Sequence, residues 1–294
     1  MDRARQKIFP VFIGLLLTLQ GCIEIPDPYV VIGQRDHAGT VQAVRPCDPD
    51  TLTILSAAVD HPSRPLDSRG FNLVNWNMFK GRRDGWEGDF NRLIEEGDII
   101  LLQEAHLTAE LTEALRRARL NWSLATAFRY QGAEAGVLTA SRNELLGVCM
   151  QRFQEPVVQT PKTSLLARFP LATGGDLVVV NMHAINFTVD DIYFSAFWQE
   201  METILQPYDG PLIVAGDFNT WSAARQAIVV RTTERLGLAP VRFPLDQRTR
   251  ILDRPIDHVY SRGLVPVDAV VYELSTSDHN PMRVTFKLAR SPTE

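Results

Sequence analysis

What most constrains this chain is a succession of short apolar segments that stop abruptly at acids, amides or imidazoles. From residue 71 onward, segments 71–77, 98–102, 122–128, 136–140, 145–153, 163–169, 177–182 and 212–215 have the length and apolar content of strands. Three more follow at 256–260, 267–272 and 282–288. Helical periodicity separates them at 90–96, 108–119, 192–206 and 223–236, with Thr108 placed to cap the second of these. Many strands with interspersed helices predict an α/β fold. No repeat, low-complexity tract or long linker divides the chain after residue 70, so residues 70–294 read as one domain.

The N-terminus reads differently. Arg3, Arg5 and Lys7 precede an apolar run over 8–19, about half the roughly 20 residues that a bilayer-spanning helix needs, and the run ends Leu19-Gln20-Gly21-Cys22. This resembles a bacterial lipobox. It predicts a lipoprotein-type signal peptide over 1–21, lipidation at Cys22, and a mature chain held on the periplasmic or extracellular side of the cell envelope. A cytoplasmic protein with an apolar start is the alternative. Residues 22–69 carry six prolines and little periodicity, and read as a stalk beside the domain. If the chain is exported, Cys47 and Cys149 sit in an oxidising compartment where a disulfide is open to them, and their number alone does not decide it.

Three cysteines at such spacings exclude a disulfide framework and a cysteine-based zinc site. With 30 Lys+Arg against 35 Asp+Glu, the chain is neither a strongly charged disordered protein nor a dedicated basic nucleic-acid binder. Any polyanion must be held by a local site.

The polar strand ends are where such a site forms in α/β proteins. They read Asn75-Trp76-Asn77, Gln103-Glu104, Asn181-Met182-His183, Gly216-Asp217-Phe218-Asn219, Asp257-His258 and Ser277-Asp278-His279-Asn280. Taken singly, an Asp or Asn at a strand end is usually a turn former. In order and context, however, Trp-Asn-Met, Leu-Gln-Glu, Gly-Asp-Phe-Asn, Ile-Asp-His and Ser-Asp-His-Asn-Pro resemble the motifs of the endonuclease/exonuclease/phosphatase superfamily, and the likeness spans about residues 70 to 288. The strings Val-Val-Asn-Met-His-Ala-Ile-Asn-Phe and Ala-Gly-Asp-Phe-Asn-Thr-Trp-Ser are similar to its YafD-like bacterial branch.

The resemblance implies a DNase I-like four-layer α/β sandwich, with two packed mixed sheets flanked by helices. It implies Asn77 and Glu104 as metal ligands. Asp217 matches the acid that orients or deprotonates water, and Asn219 the amide that holds a phosphoryl oxygen or that acid. His279 matches the imidazole beside the phosphate, its tautomer set by Asp257 or Asp278, and His183 a second histidine able to protonate a leaving group. Convergence of Glu104, Asp217, Asp257 and Asp278 would demand a compensating cation, and oxygen ligands favour Mg²⁺ or Mn²⁺ over zinc. Abasic-site endonucleases carry an aspartate two residues after the first-motif asparagine; here Phe79 stands there.

Lys80, Arg82 and Arg83 are placed to meet substrate phosphates or simply to be solvated, and Arg248, Arg250 and Arg254 carry the same two readings. His106 reads as a surface loop histidine, Asp190-Asp191 as a helix start, and Trp76, Trp86 and Trp221 as core or as stacking platforms. The expected activity is divalent-metal-dependent phosphoester hydrolysis, with nucleic acid as the first substrate class. A phospholipid or sphingolipid phosphodiesterase is the alternative, and a non-catalytic envelope lipoprotein the second. No protein partner is inferred.

Overall fold

The computed structural model describes residues 23–34, 37–42, 46–50, 64–158, 160–188 and 190–289. The expected signal peptide over 1–21 and the expected lipidation at Cys22 lie outside the described residues.

Three strands come first: β1 (Ile23–Glu24), β2 (Val30–Gln34) and β3 (His37–Gln42). After β4 (Phe71–Asn77), the chain continues through α1 (Trp86–Glu96), β5 (Ile99–His106) and α2 (Ala109–Arg117). A run of strands follows: β6 (Asn121–Tyr130), β7 (Ala133–Ser141), β8 (Gly147–Phe153), β9 (Lys162–Pro170) and β10 (Asp176–His183). Next come α3 (Ile192–Leu205), β11 (Leu212–Asp217), α4 (Ala223–Arg235) and the short β12 (Ala239–Pro240), β13 (Arg250–Ile251) and β14 (Arg254–Pro255). The last strands are β15 (Asp257–Arg262), β16 (Leu264–Val271) and β17 (Met282–Leu288).

Two mixed sheets result, one ordered β16-β17-β4-β5-β7-β6-β2-β3 with β1 also on β6, the other β12-β15-β11-β10-β9-β8. Because strand side chains alternate between faces, β4 sends Leu73 towards the second sheet and Val74 and Trp76 towards α1 and α2. Likewise β10 sends Leu177 and Val179 inward and Val178 and Val180 against α3 and α4. Helices, sheet, sheet, helices: the four-layer sandwich is the architecture the motifs implied.

The stretch read as a stalk is corrected here. β2 pairs with β6 from Val30↔Ala125 to Gly33↔Trp122, and Val30 and Val31 are buried. Cys47 and Cys149 form a disulfide across a sequence separation of 102 residues, and Leu66 bridges Leu171. The first sheet therefore starts at Ile23 rather than near residue 70. Prolines punctuate the connections and dilute the apolar pattern of the short strands between them, which hid those strands. His106 is corrected too: it is a buried β5 residue whose Nε2 lies 2.9 Å from the Tyr130 carbonyl. Thr108 caps α2, accepting from the Leu111 amide, whereas at α3 it is Asp190 that accepts from Ile192 N, 3.0 Å away.

β10 and β11 run parallel in such close register that a Cβ on Gly216 would lie 1.9 Å from the Met182 carbonyl oxygen, and Gly216 holds φ 146°. Gly216→Ala must push the two strands apart. A loss of about 2–3 kcal/mol or more is expected in urea unfolding at neutral pH; an unchanged midpoint would contradict this packing.

Candidate active site

The inward face of the sandwich changes from apolar to polar at one end. On β4, Leu73 is followed by Asn75 and Asn77; on β10, Val179 by Asn181 and His183; on β11, Ala215 by Asp217. Parallel pairing of β10 with β11, and antiparallel pairing of β11 with β15, set His183, Asp217 and Asp257 side by side in register. The loop between β16 and β17 delivers His279, whose Nδ1 lies 2.8 Å from Asp257 Oδ2 and whose Nε2 lies 3.8 Å from Asp217 Oδ2. His183 Nε2 is 3.4 Å from the same Asp217 oxygen, to which Asn77 Nδ2 donates at 3.1 Å. All five of these residues are buried.

Asn219 holds Asp217 through its main-chain amide, which donates to Oδ1 at 3.0 Å, while its side-chain Nδ2 donates to the Ala184 carbonyl. Asp278 is corrected. It is exposed, its closest polar partner is Ser277 Oγ at 3.4 Å, and Asp257 alone of the two orients the His279 ring. Of the four carboxylates taken to converge, Asp217 and Asp257 meet at His279, and Asp278 does not join them.

Simple alternation would send Gln103 and Glu104 to opposite faces. A register shift between Leu102 and Ala105 and a φ of 50° at Glu104 turn the acid to the site instead, where Lys80 donates to it. Arg82 stacks over Phe79 and Tyr130, and Arg83 donates to the Ser275 and Ser277 carbonyls. Arg248 and Arg250 pair with Asp246, and Arg254 donates to Gln226, so these three build local structure. Trp76 is core and donates to the His279 carbonyl; Trp221 donates to Asn186. His258 points away from Asp257 and shares a 2.7 Å hydrogen bond with Thr220.

Four contributors were missed. Lys162, at the start of β9, places Nζ 2.8 Å from His183 Nε2. Arg225, wholly buried in α4, donates to the carbonyls of Ile185, Asn186 and Asn219 and so binds the loop after β10 to the loop after β11. Buried Glu155 accepts the Asn186 and Phe187 amides. Ser277 donates to the Asn77 carbonyl and accepts from His279 N, fixing the height of that ring. Ser277 stood in the Ser-Asp-His-Asn-Pro motif without a role, and the only sequence signal for the other three was polarity next to apolar strands, which is too common to single them out.

Charge follows from geometry. Burial raises the Asp217 carboxyl to about 6; His279 opposes the rise and Asp257 adds to it. Burial would lower His279, but the carboxylates of Asp257 and Asp217 prevail and carry it up to about 10, so it is an imidazolium. Burial and the Lys162 ammonium push His183 well below its ordinary value, so it is neutral. Burial would raise Glu104, but the ammonium groups of Lys80 and Lys162 outweigh it and bring it down to about 2.

The donor set suits a hard divalent cation. Ligand atoms of Asp217, Asp257 and His279 lie within 4.8 Å of one another, and Asp257 Oδ1 is buried with no hydrogen-bond partner. Glu104 and Asn77 stand on adjacent parallel strands, Asn77 opposite Gln103. These oxygens fit Mg²⁺ or Mn²⁺.

The sequence profile described as Endonuclease/Exonuclease/phosphatase family matches residues 74–279, which span every one of these groups. The chain belongs to that family. It is 36% identical over 225 residues to a UPF0294 protein of Vibrio campbellii, covering 76% of this chain and 80% of that one, which places it in the YafD-like bacterial branch. Its fold is similar to an endonuclease/exonuclease/phosphatase of Beutenbergia cavernae, with a TM-score of 0.60 at 19% identity over 77% of this chain and 73% of the other. It is similar as well to the human Nocturnin catalytic domain, with a TM-score of 0.59 at 18% identity over 76% and 96%. Family members are metal-dependent phosphoesterases.

In this family member, Asp257→Asn removes the partner that charges His279. Its ring should then titrate at least two pH units lower by NMR; an unmoved titration would contradict the pairing. His258 carries a separate expectation. Burial and then Arg248 lower its pKa to about 3, below the ordinary value of about 6.5. Below pH 6.5 the unfolded chain takes up a proton that the folded chain refuses. The stabilisation is therefore complete above that pH and is lost as pH falls towards 3, by about 2 kcal/mol at pH 5. His258→Gln should flatten the fall in urea midpoint between pH 7 and 5 relative to wild type; parallel pH profiles would contradict it.

Proposed function

We propose that the chain is a divalent-metal-dependent phosphodiesterase that directs water onto phosphorus, with nucleic acid as its first substrate class. The observation that carries this is the cluster of Asp217, Asp257 and His279, whose ligand atoms lie within 4.8 Å of one another. An acid near pKa 6 can take a proton from water at neutral pH. An imidazolium fixed by Asp257 can donate to a phosphoryl oxygen. Glu104, Asn77 and the carboxylates of Asp217 and Asp257 would hold Mg²⁺ or Mn²⁺, which would supply charge neutralisation and an activated water. His183 accepts from Lys162 and is neutral, so its part is to accept and align rather than to protonate a leaving group. A non-catalytic lipoprotein has no need for this set of residues.

A second reading, hydrolysis of a phospholipid or sphingolipid headgroup, is favoured by what surrounds the site. Phe187, Ile192 and Tyr193 are more than half exposed on the segment that Arg225 and Glu155 tie to the site. Ile23 pairs with Tyr130, the residue whose carbonyl contacts His106 and whose ring lies under Arg82. Lipidation at Cys22 would tether the chain in the cell envelope. The Cys47–Cys149 disulfide suits that oxidising location.

The test is hydrolysis by the purified full chain of DNA, RNA, phospholipid, sphingomyelin and soluble phosphate esters with Mg²⁺, Mn²⁺ or EDTA. Metal-dependent turnover that falls by about 100-fold or more in Glu104→Ala and His279→Ala is expected. Full activity in both variants, or none on any substrate, would overturn the assignment, and the panel that responds separates the two readings.

A further inference from the structure

The two lysines at the site lie on the same small cavity. Lys80, held in the left-handed region at φ 58° between β4 and α1, donates to Glu104, and Lys162 donates to His183 from the other side. Both line a cavity of about 40 Å³ that Glu104 and His183 also border. Its back wall is main chain at Gly136, where a Cβ would lie 1.9 Å from the Ala125 carbonyl oxygen, so the wall is set by close strand contact rather than by a side chain.

Two ammonium groups flank Glu104 there, and Lys162 also acts on Asp217, whose Oδ2 lies 3.4 Å from His183 Nε2. A cation bound at Glu104 would compete with Lys80 for that carboxylate and leave the ammonium to another anion. Phe79 stands where abasic-site endonucleases carry an aspartate, and its ring stacks with Arg82 and Arg83 instead.

We propose that Lys80 and Lys162 form an anion cradle that takes the non-bridging oxygens of the substrate's phosphoryl group, so that the chain works with one divalent cation and two lysines rather than with two cations. This rests on the phosphoester reading above and names how that site holds its phosphate. The remainder of the substrate lies outside the cradle.

The test is calorimetric titration of inorganic phosphate, and separately of Mn²⁺, into the full chain and its Lys162→Met, Lys162→Arg and Lys80→Met variants, each shown by thermal melting to be folded. Loss of one charge-assisted hydrogen bond weakens phosphate binding by about 10- to 100-fold, which Lys162→Met should show and Lys162→Arg should partly restore. Lys80→Met should weaken phosphate binding and tighten Mn²⁺ binding, because Glu104 loses its competitor. Wild type should bind one Mn²⁺ per chain. Phosphate binding by wild type that is unchanged in Lys162→Met, or two Mn²⁺ per chain, overturns the cradle alone. Wild type that binds no phosphate and hydrolyses no phosphoester overturns the cradle together with the reading on which it rests.

Discussion

Gln103 donates to Asn75 in its own sheet and to Asn181 in the facing sheet, at 2.9 and 2.7 Å, and the rest of the site is built on that joint. Two sheets packed face to face need an apolar interior, yet an active site needs polar groups inside the same layer. The amide ladder reconciles the two. Asn181 goes on to donate to the Leu102 and Leu138 carbonyls, so its amide nitrogen bridges the gap, while Gln103 Oε1 is buried with no hydrogen-bond partner. Above this ladder the inward positions carry Asn77, His183, Asp217 and Asp257; below it they carry leucine, valine and phenylalanine.

With the strands fixed in this register, charge is arranged by pairing rather than by solvent. Asp257 goes to His279, Lys80 to Glu104 and Lys162 to His183. The backbone is held in the left-handed region at Glu104 and Asn219, with φ 50° and 51°. Such conformations cost of order 1–3 kcal/mol each and persist where surrounding bonds over-determine them. Arg225 and Glu155 supply those bonds for the loops after β10 and β11, through main-chain carbonyls and amides rather than through any reacting group.

The strands and their polar ends were legible because period-two alternation and abrupt polarity changes are local. The motifs conveyed the family, and with it Asp217, Asp257, His279 and His183 as neighbours. Three things were not legible, each for a physical reason. β1 to β3 are short, β1 and β2 pairing with β6 and β3 with β2, so prolines nearby dominated the reading. Asp278 and Asp257 are both acids beside a histidine in sequence, and only the turn at Ser277 decides which faces the ring. Lys162 and Arg225 act across elements far apart in the chain, so no local pattern marks them.

The account stands on the claim that the polar end of the sandwich binds a hard divalent cation through Glu104 and the Asp217 cluster. Paramagnetic Mn²⁺ titrated into the full chain, read on the histidine ring signals by NMR, addresses this with no substrate required. Broadening of His183 and His279 at substoichiometric Mn²⁺, abolished by Glu104→Gln, is the result the account predicts. Rings that broaden only with excess Mn²⁺, or equally in the variant, would contradict it.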